Sequence, residues 1–365
     1  MSGLFRCLSA VPFWWRSVVE NHPGLSTAVS LAGLAVLAVL LAPSSGVGDA
    51  FQSGIPIDDG AARDSLHGVL GTLRGHYHDL LPLPLRTWVW QLYTNPILYT
   101  IVPFLLLLEV LFPCNLKQRL LSRGFVQDAI WFVMSLPLNV MVLGTAYGLL
   151  NGYYAKHLDF LTIEPAVAWP AALQVAAGFL MIDFLGWFHH FVRHKIYPLW
   201  IFHAVHHSQR ELNLFTDNRV HVVEGLVIAV FTFIPLMMFQ VTALYGAALI
   251  GVIIPLYTRF LHANLKINLG VLGLFLVSPQ FHRVHHSRES EHRNQNFGVV
   301  LSVWDRLFGT AYRSNTAYPH TGIDDPAFPL EHEFPSRSVP VNWLYQMVYP
   351  FTQLFRIILT GLQRR

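Results

Sequence analysis

Long apolar segments separated by short polar ones dominate the pattern of this chain. Four of them are long enough to cross about 30 Å of hydrocarbon as helices. They cover Leu25–Pro43, Pro96–Phe112, Ala129–Leu150 and Val167–Phe188. The first exceeds the apolar region of a signal peptide and follows a long leading segment, which favours a retained helix. The pattern therefore predicts about four membrane crossings.

A fifth apolar segment, Val222–Tyr257, is too long for one crossing and has Pro235 and Gln240 near its middle. It predicts a re-entrant hairpin of two short helices that returns to the side from which it entered. The tail, Trp343–Arg365, mixes aromatic and aliphatic residues with a basic end. It predicts a helix that lies on a membrane surface or folds back onto the rest of the protein, and the sequence leaves both readings open.

The distribution of basic residues orients these segments. Positive charges follow the second and fourth apolar runs and therefore mark the cytoplasmic face by the positive-inside rule. They are Lys117, Arg119 and Arg123 in the first group, and Arg193, Lys195 and Arg210 in the second. The N-terminus then lies on the same side, and the polar stretch that follows the first crossing forms a loop.

Composition supports this interpretation. Hydrophobic residues make up 53% of the 365 residues and charged residues only 12%, whereas soluble proteins carry about 25% charged residues. A water-soluble enzyme is therefore disfavoured. A net charge of +3 is too small for a nucleic-acid-binding surface. Cys7 and Cys114 are far apart, so neither a disulfide framework nor a thiolate metal site is indicated.

These observations predict an all-α fold: a polytopic membrane helical bundle of about four crossings plus a re-entrant helical hairpin, with a cytosolic histidine-rich helical cap. Four regions follow from the pattern. They are a cytosolic N-terminal segment (1–24), N-terminal membrane helices (25–166, with the polar loop 44–92), a histidine-rich domain (167–312) and a C-terminal tail with an amphipathic helix (313–365).

The chain contains 19 histidines, and eight of them form three tight groups. These are His190 and His194; His203, His206 and His207; and His282, His285 and His286. Residues three and four apart share one face of a helix, so each group is expected to direct its imidazoles toward one point. Imidazole binds iron, zinc, copper and nickel. Eight imidazoles exceed the need of one ion and favour a dinuclear catalytic centre with open positions.

Three further residues are candidates for the same site. His262 is a ninth possible ligand, and Asn264 is expected to orient it through a hydrogen bond. Asp183 lies two turns before His190 and is expected to accept the remaining N–H of a ligating imidazole. His189 points about 100° away from His190 on a helix, and His221 stays undecided. The remaining histidines are interpreted as ordinary surface or core residues: His22, His67, His76, His78, His157, His292, His320 and His332.

The stretch from Asp183 to Thr310 resembles the fatty acid hydroxylase/sterol desaturase superfamily of integral-membrane di-iron enzymes. The resemblance rests on the histidine groups and on flanking motifs in a fixed order. The flanking motifs are Pro198-Leu199-Trp200, Asn213-x5-Arg219-x-His221-x2-Glu224, His262-Ala-Asn264, Ser278-Pro279, Asn296-Phe297-Gly298 and Trp304-Asp305-Arg306-Leu307-Phe308-Gly309-Thr310. One departure is Phe191, which stands where the family often has arginine. The first 120 residues and the tail match nothing in the family.

The resemblance implies a lipid hydroxylase in which the eight grouped histidines and His262 bind two iron ions, although zinc can occupy such sites in purified protein. It also implies O2 as co-substrate and an external electron donor, of the ferredoxin or cytochrome type with a reductase. A basic surface is expected to dock that donor; its residues are Arg193, Lys195, Arg210, Arg283 and Arg288.

Several alternatives stay open at this level. A lipid desaturase would use the same ligands, whereas a membrane metal transporter is disfavoured because the histidine groups flank the apolar runs instead of interrupting them. The sequence does not identify the lipid among sterols, fatty acyl chains, sphingolipids, ornithine lipids and alkylglycerols. The polar loop favours a bacterial inner membrane, with the histidines on the cytoplasmic side.

Overall fold

The computed structural model describes residues 96–163, 169–238 and 254–363, and those from Leu105 onward belong to one compact unit. This part of the chain contains nine α-helices and no β-strand, which confirms the all-α prediction. The helices are α1 (Pro96–Leu111), α2 (Arg123–His157), α3 (Ala171–Lys195), α4 (Tyr197–His207), α5 (Val222–Met238), α6 (Ile254–His262), α7 (Pro279–His285), α8 (Val303–Leu307) and α9 (Val339–Gln363).

Among the described residues, only α2 is both long and apolar enough to cross a membrane. Helices α1 and α5 contain shorter apolar stretches, and α3, which contains the predicted fourth crossing from Ala171 onward, does not meet the same test. The predicted first crossing, Leu25–Pro43, and the polar loop 44–92 lie outside the described residues, as does the middle of the predicted hairpin. A bundle of four crossings therefore stays a prediction.

The boundaries of α2 and α3 follow from capping and from the histidine groups. The Oγ of Ser122 accepts a hydrogen bond from the backbone N–H of Phe125 (3.2 Å) and begins α2. Helix α3 continues to Lys195, seven residues beyond the apolar run that predicts it. Asp183, His190 and His194 consequently lie on one continuous helix.

The segment predicted as a hairpin forms two helices, α5 and α6, on either side of the undescribed stretch 239–253. Helix α5 packs against α2 and α3. Its first turn and the last turn of α6 both line the same cavity, through Glu224 and His262. The two ends of the segment therefore meet at one place.

A hydrophobic core joins α2, α4 and α9. Trp131 of α2 and Trp343 of α9 meet edge to face with ring centroids 6.1 Å apart, and Val205 of α4 packs in the same cluster. Both indole N–H groups are satisfied, because Trp131 donates to Gln346 Oε1 (2.8 Å) and Trp343 donates to Ser135 Oγ (2.9 Å). The first half of α9 is thereby fixed to the helices that carry the histidines.

Helix α9 combines the two readings of the tail. Asn342, Trp343 and Gln346 are buried against the rest of the protein. The opposite face exposes large apolar side chains, which include Leu344, Val348, Phe351 and Phe355. The helix thus folds back on the protein with one face and presents to its surroundings an apolar face of the kind that binds a membrane surface.

A buried ionic network holds the end of α4. Arg219 is fully buried and donates to Asp128 Oδ1 of α2 (2.7 Å), to Ser208 Oγ (2.8 Å) and to Glu331 Oε1 (3.0 Å). The other oxygen of Asp128 accepts three more hydrogen bonds from the segment after α4, donated by Gln209, Asn213 and Thr216. This network fixes the residues that directly follow His206 and His207.

Candidate metal centre

The nine predicted ligands gather into two groups of converging ring nitrogens. Cluster A contains His190, His194, His203, His207 and His285, and cluster B contains His206, His262, His282 and His286. Within each cluster the candidate ligand atoms all lie within 4.8 Å of one another. Eight of the nine side chains are buried, and His194 of cluster A is half-buried.

Helical spacing predicted that each His-x-x-His-His group would point to a single place, but neither group does. Instead, the first and last residues of each group share one cluster and the middle histidine joins the other. His203 and His207 belong to cluster A while His206 belongs to cluster B. In the second group His282 and His286 enter cluster B while His285 enters cluster A.

Helix geometry explains this division. Residues four apart lie about 40° from each other around the axis, whereas residues three apart lie about 60° apart on the other side. The Nε2 atoms of His203 and His207 are 3.2 Å apart, and those of His282 and His286 are 3.1 Å apart. Each four-residue pair therefore forms one edge of a cluster. The middle histidine of each group points toward the other cluster.

Backbone carbonyls fix the orientation of three imidazoles. The Nδ1 atoms of His190, His262 and His285 lie 2.9, 2.7 and 2.8 Å from the carbonyl oxygens of Phe297, Thr258 and Gln295. A carbonyl only accepts, so Nδ1 carries the proton in each ring. The Nε2 lone pair of each is then directed into its cluster.

A carboxylate fixes a fourth imidazole. His203 Nδ1 lies 2.7 Å from Glu224 Oε1 of α5, and the same oxygen pairs with Arg193. All three side chains are buried. A carboxylate behind a ligating imidazole holds the tautomer and raises the basicity of the ligand. Neither Glu224 nor Arg193 had this role in the sequence prediction, although Glu224 closes one of the flanking motifs.

The arrangement of the lone pairs fits bound cations. His190 Nε2 and His203 Nε2 both present lone pairs and lie 3.0 Å apart, a distance at which they repel unless a cation lies between them. Metal–nitrogen bonds of about 2.1 Å separate neighbouring nitrogens by about 3.0 Å in octahedral geometry and about 3.4 Å in tetrahedral geometry. The shortest Nε2 to Nε2 separation in cluster B, His262 to His282, is 2.9 Å. The ring nitrogens of both clusters are therefore spaced as ligands of one metal ion each would be.

Burial also keeps the imidazoles neutral. It lowers the pKa of every histidine in the two clusters, and the neighbouring imidazoles and Arg193 add to this effect at several of them. The pKa of His262 is lowered to about 4 and that of His285 to about 3. Neutral rings at pH 7 are the form that binds a metal ion.

Asp183 does not accept an imidazole N–H as predicted. Its carboxylate instead accepts hydrogen bonds from the backbone N–H of Val300 (2.8 Å) and Leu301 (3.1 Å) and from the indole of Trp304 (2.8 Å). The acceptor for His190 is the carbonyl of Phe297. Asp183 therefore anchors the segment that follows Phe297. The spacing between Asp183 and His190 along α3 could not have predicted contacts with that distant segment.

Asn264 does not orient His262 either. Its side chain pairs with the backbone of Asn115, with Oδ1 accepting from the N–H at 2.9 Å and Nδ2 donating to the carbonyl at 3.2 Å. His262 is oriented by Thr258, one turn earlier in α6. Asn264 instead joins the segment after α6 to the segment after α1.

Asp305 organises the loop that orients cluster A. It accepts hydrogen bonds from the backbone N–H groups of Phe297 (2.8 Å) and Gly298 (2.7 Å), from Trp187 (3.1 Å) and from Thr310 (2.6 Å). The loop also contains two asparagines with positive φ, Asn294 and Asn296. This geometry turns the carbonyls of Gln295 and Phe297 toward the histidines, which explains why the flanking motifs accompany the histidine groups.

The other described histidines lie outside both clusters. His189 is buried next to Arg193, and His221 bonds through Nε2 to the carbonyl of Met347 (3.0 Å). His292 is buried beside Ser287, and His332 pairs with Glu211. None of them contributes a donor atom to the nine-histidine site.

Fewer basic side chains are exposed than the predicted docking surface requires. Arg193 and Arg283 are buried; the first pairs with Glu224 and the second donates to the carbonyl of Pro319. Arg210 pairs with Glu333. Of the five predicted cations, Lys195 and Arg288 are exposed.

Two cavities reach the histidines, and one of them is more polar than the other. The apolar cavity, about 280 Å³, lies between α3, α5 and α6, and it contacts histidines of both clusters through His190, His203, His206, His262 and His282. The polar cavity, about 390 Å³, touches cluster A through His194, His207 and His285. Its rim carries Lys195, Arg288, Arg293 and Asp324.

Comparison with known proteins gives a match for this site. Residues 175–310 match the fatty acid hydroxylase family. That range contains all nine histidines and both anchoring aspartates. This part of the chain is therefore similar to the fatty acid hydroxylase family, which confirms the resemblance drawn from the motifs.

Two kinds of relative share this domain. The chain is 30% identical over 201 residues to an ornithine lipid hydroxylase of Rhizobium tropici, which covers 54% of this chain and 56% of that protein. It is 33% identical over 147 residues to human alkylglycerol monooxygenase, covering 40% of this chain and 32% of that protein, and 35% identical over 149 residues to the Danio rerio enzyme, covering 39% and 31%. The chain thus spans about half or less of these relatives, and no solved structure matches it.

Proposed function

We propose that this protein is a membrane-bound, di-iron, O2-dependent lipid hydroxylase. The observation that carries the proposal is the pairing of two converging histidine clusters with an apolar cavity that touches both of them. The two named classes of relative, a lipid hydroxylase and a lipid monooxygenase, support the same type of reaction.

Cluster A would hold one ion with five imidazoles and cluster B the other with four. The residues that would hold the ions are imidazoles alone, a ligand set that suits iron and zinc alike. Iron is proposed because the oxidation of a lipid by O2 requires a redox-active metal, which zinc is not. When bound, the two ions supply the O2 activation that an unactivated C–H bond requires.

The protein's own residues position the reactants. The aliphatic walls of the apolar cavity, which include Ile182, Ile228 and Leu261, bind a lipid chain and exclude water from the oxidation site. The carbonyls of Phe297, Gln295 and Thr258 and the carboxylate of Glu224 hold the ligating rings in one tautomer. The net reaction joins one oxygen atom to the lipid and reduces the other to water, and it consumes two electrons and two protons.

The electrons would come from an external donor protein, a ferredoxin or a cytochrome with its reductase. The polar cavity is the favoured approach, because half-buried His194 lies there and its ring packs against Trp200 at 4.8 Å. We also propose a multi-pass arrangement in a bacterial inner membrane, with the polar cavity on the cytoplasmic side. Helix α2 and the apolar face of α9 support membrane association.

Lipid mass spectrometry tests the proposal. Cells that express the chain are compared with cells that express the double variant H203A/H282A. A product 16 Da heavier than its precursor, present only with the unmodified chain, supports hydroxylation. A product 2 Da lighter indicates desaturation on the same scaffold, and unchanged lipids with metal accumulation in the cells would indicate a transporter.

A further inference from the structure

A third group of possible metal ligands lies outside clusters A and B, in the segment that follows α7. Cluster C consists of Glu289, Glu291 and His292, and one donor atom from each residue lies within 4.8 Å of the other two. Both carboxylates are exposed, whereas His292 is only 2% exposed. Imidazole and carboxylate groups together form a ligand set that binds zinc in proteins.

The ring of His292 has one nitrogen that the protein leaves without a hydrogen bond. Nδ1 lies 2.8 Å from Ser287 Oγ. Nε2 is buried and has no hydrogen-bond partner among the described residues. It lies 3.3 Å from Glu291 Oε1, but an N–H on this nitrogen would not have hydrogen-bond geometry toward that oxygen. A buried polar atom without a partner is costly, and a cation between Nε2 and the carboxylate would remove that cost.

The two carboxylates of cluster C are directed at this ring. The 3.3 Å between His292 Nε2 and Glu291 Oε1 is about the separation of two ligands of one metal ion. Glu289 Oε2 lies 3.6 Å from Nδ1 of the same ring, and its exposed side chain can reach an ion at Nε2 by a change of rotamer. Arg288 and Arg293 line the same surface pocket, yet in the described part of the chain neither forms an ion pair with these carboxylates.

We propose that cluster C is a third metal site of this protein. It binds one divalent transition-metal ion, such as zinc, through His292 Nε2 and the carboxylates of Glu289 and Glu291, and water completes the coordination. This site is separate from the nine histidines. The proposal therefore does not depend on the two-ion centre or on the hydroxylation of a lipid.

The position of cluster C connects it to cluster A. Its residues lie between His285, at the end of α7, and Gln295, whose carbonyl orients the ring of His285. The side chain of Gln295 also donates to the backbone carbonyl of Glu291 at 3.2 Å. An ion that joins Glu289, Glu291 and His292 would hold this short segment next to the carbonyl. Its role is structural, since it would stabilise the turn that presents Gln295 to cluster A.

Zinc binding by the full-length protein tests the proposal. The protein is purified in detergent with its bound metals and titrated with zinc in competition with a fluorescent chelator. Plasma mass spectrometry then counts the zinc and iron in each chain. We expect one additional zinc ion that displaces no iron. Absence of an additional zinc ion, or zinc that enters only as iron leaves, would overturn the proposal.

Variants of exposed residues assign the additional ion. Glu289→Gln and Glu291→Gln keep the size of the side chain but remove a charged ligand. Each should weaken zinc binding by more than the roughly 10–100-fold that loss of an outer-shell partner costs. His332→Ala is the matched control, because His332 Nε2 also lies 3.3 Å from a carboxylate, that of Glu211, but belongs to no ligand group in the described ranges. Unchanged affinity in both glutamine variants, or an equal loss in the control, would overturn the proposal.

Hydrogen exchange tests the structural role of this ion. Zinc should slow the exchange of the backbone amides of residues 287–297 in the unmodified protein, because it joins side chains of that segment. The same addition should leave exchange unchanged in Glu291→Gln. If zinc binds without slowing exchange in the unmodified protein, the link to cluster A is wrong. If exchange slows equally in both proteins, the ion lies elsewhere.

Discussion

Clusters A and B are built from the same residue type, yet they differ in how firmly the protein holds them. Cluster A has five imidazoles, and three of them (His190, His203 and His285) have Nδ1 hydrogen bonded to a carbonyl or carboxylate. Cluster B has four, and within the described ranges only His262 has such a partner, whereas the buried Nδ1 atoms of the other three have none there. The protein therefore orients cluster A itself, whereas cluster B depends more on the ion it would bind.

The surroundings of clusters A and B also differ. Cluster A lies between the apolar and the polar cavity and includes half-buried His194. Every histidine of cluster B is buried, and three of them line the apolar cavity: His206, His262 and His282. Cluster A therefore borders both cavities, whereas cluster B borders the apolar cavity.

The largest expected effect comes from removing corresponding ligands. His203→Ala opens cluster A and His282→Ala opens cluster B, and each should reduce hydroxylation to background because both ions are needed. Metal content should fall from about two ions per chain to about one in each variant. Plasma mass spectrometry measures the metal, with His320→Ala, an exposed histidine, as the control that keeps both ions. Full activity in either ligand variant would contradict the dinuclear site.

A second prediction concerns helix α4, which both clusters share. Helix α4 supplies ligands to both, and Arg219 fixes its end through Asp128 and Glu331. Arg219→Met leaves two buried carboxylates uncompensated and should cost about 3–5 kcal/mol of stability. Both ions should be lost together, as measured by thermal unfolding and metal content in detergent. Loss of one ion alone would show that the clusters do not depend equally on α4.

A third change should affect cluster A alone. Asp305→Ala removes the acceptor that holds the N–H groups of Phe297 and Gly298, and hence the carbonyl that orients His190. Loss of such outer support typically lowers metal affinity by about 10–100-fold. Competition with a chelator should show weaker binding of one ion and an unchanged second ion. The background variant His282→Ala, which retains cluster A, assigns the affected ion.

The smallest effect concerns pH. Protons compete with metal for Nε2, and lowering the pKa of a bound imidazole moves that competition to lower pH. Because burial lowers the pKa values of all nine rings, metal content should stay constant between pH 7.5 and pH 6, about the ordinary pKa of histidine. On further acidification both clusters should lose their ions, because protons then compete for the ring nitrogens of all nine histidines. Loss of metal already between pH 7.5 and pH 6 would contradict the prediction.

Much of the site was predictable from the sequence because its chemistry resides in residue type and spacing. The nine histidines predicted as ligands converge, and no other histidine of the described part joins the two clusters. Spacing predicted that Asp183 and Asn264 orient imidazole rings, and both predictions were wrong. Their partners, Val300 and Asn115, lie more than 100 residues away along the chain, and spacing along one helix contains no information about such contacts.

The sequence by itself determined the helical class, the identity of the nine converging imidazoles and the apolar character of their surroundings, because these depend on composition and on local periodicity. The tertiary structure decided how the histidines divide between two clusters, which carbonyls select their tautomers, and that Glu224 holds the ring of His203. Those properties depend on distances between helices that only packing fixes. The pairing of α3, α4, α6 and α7 across the core brings together side chains that no local rule relates.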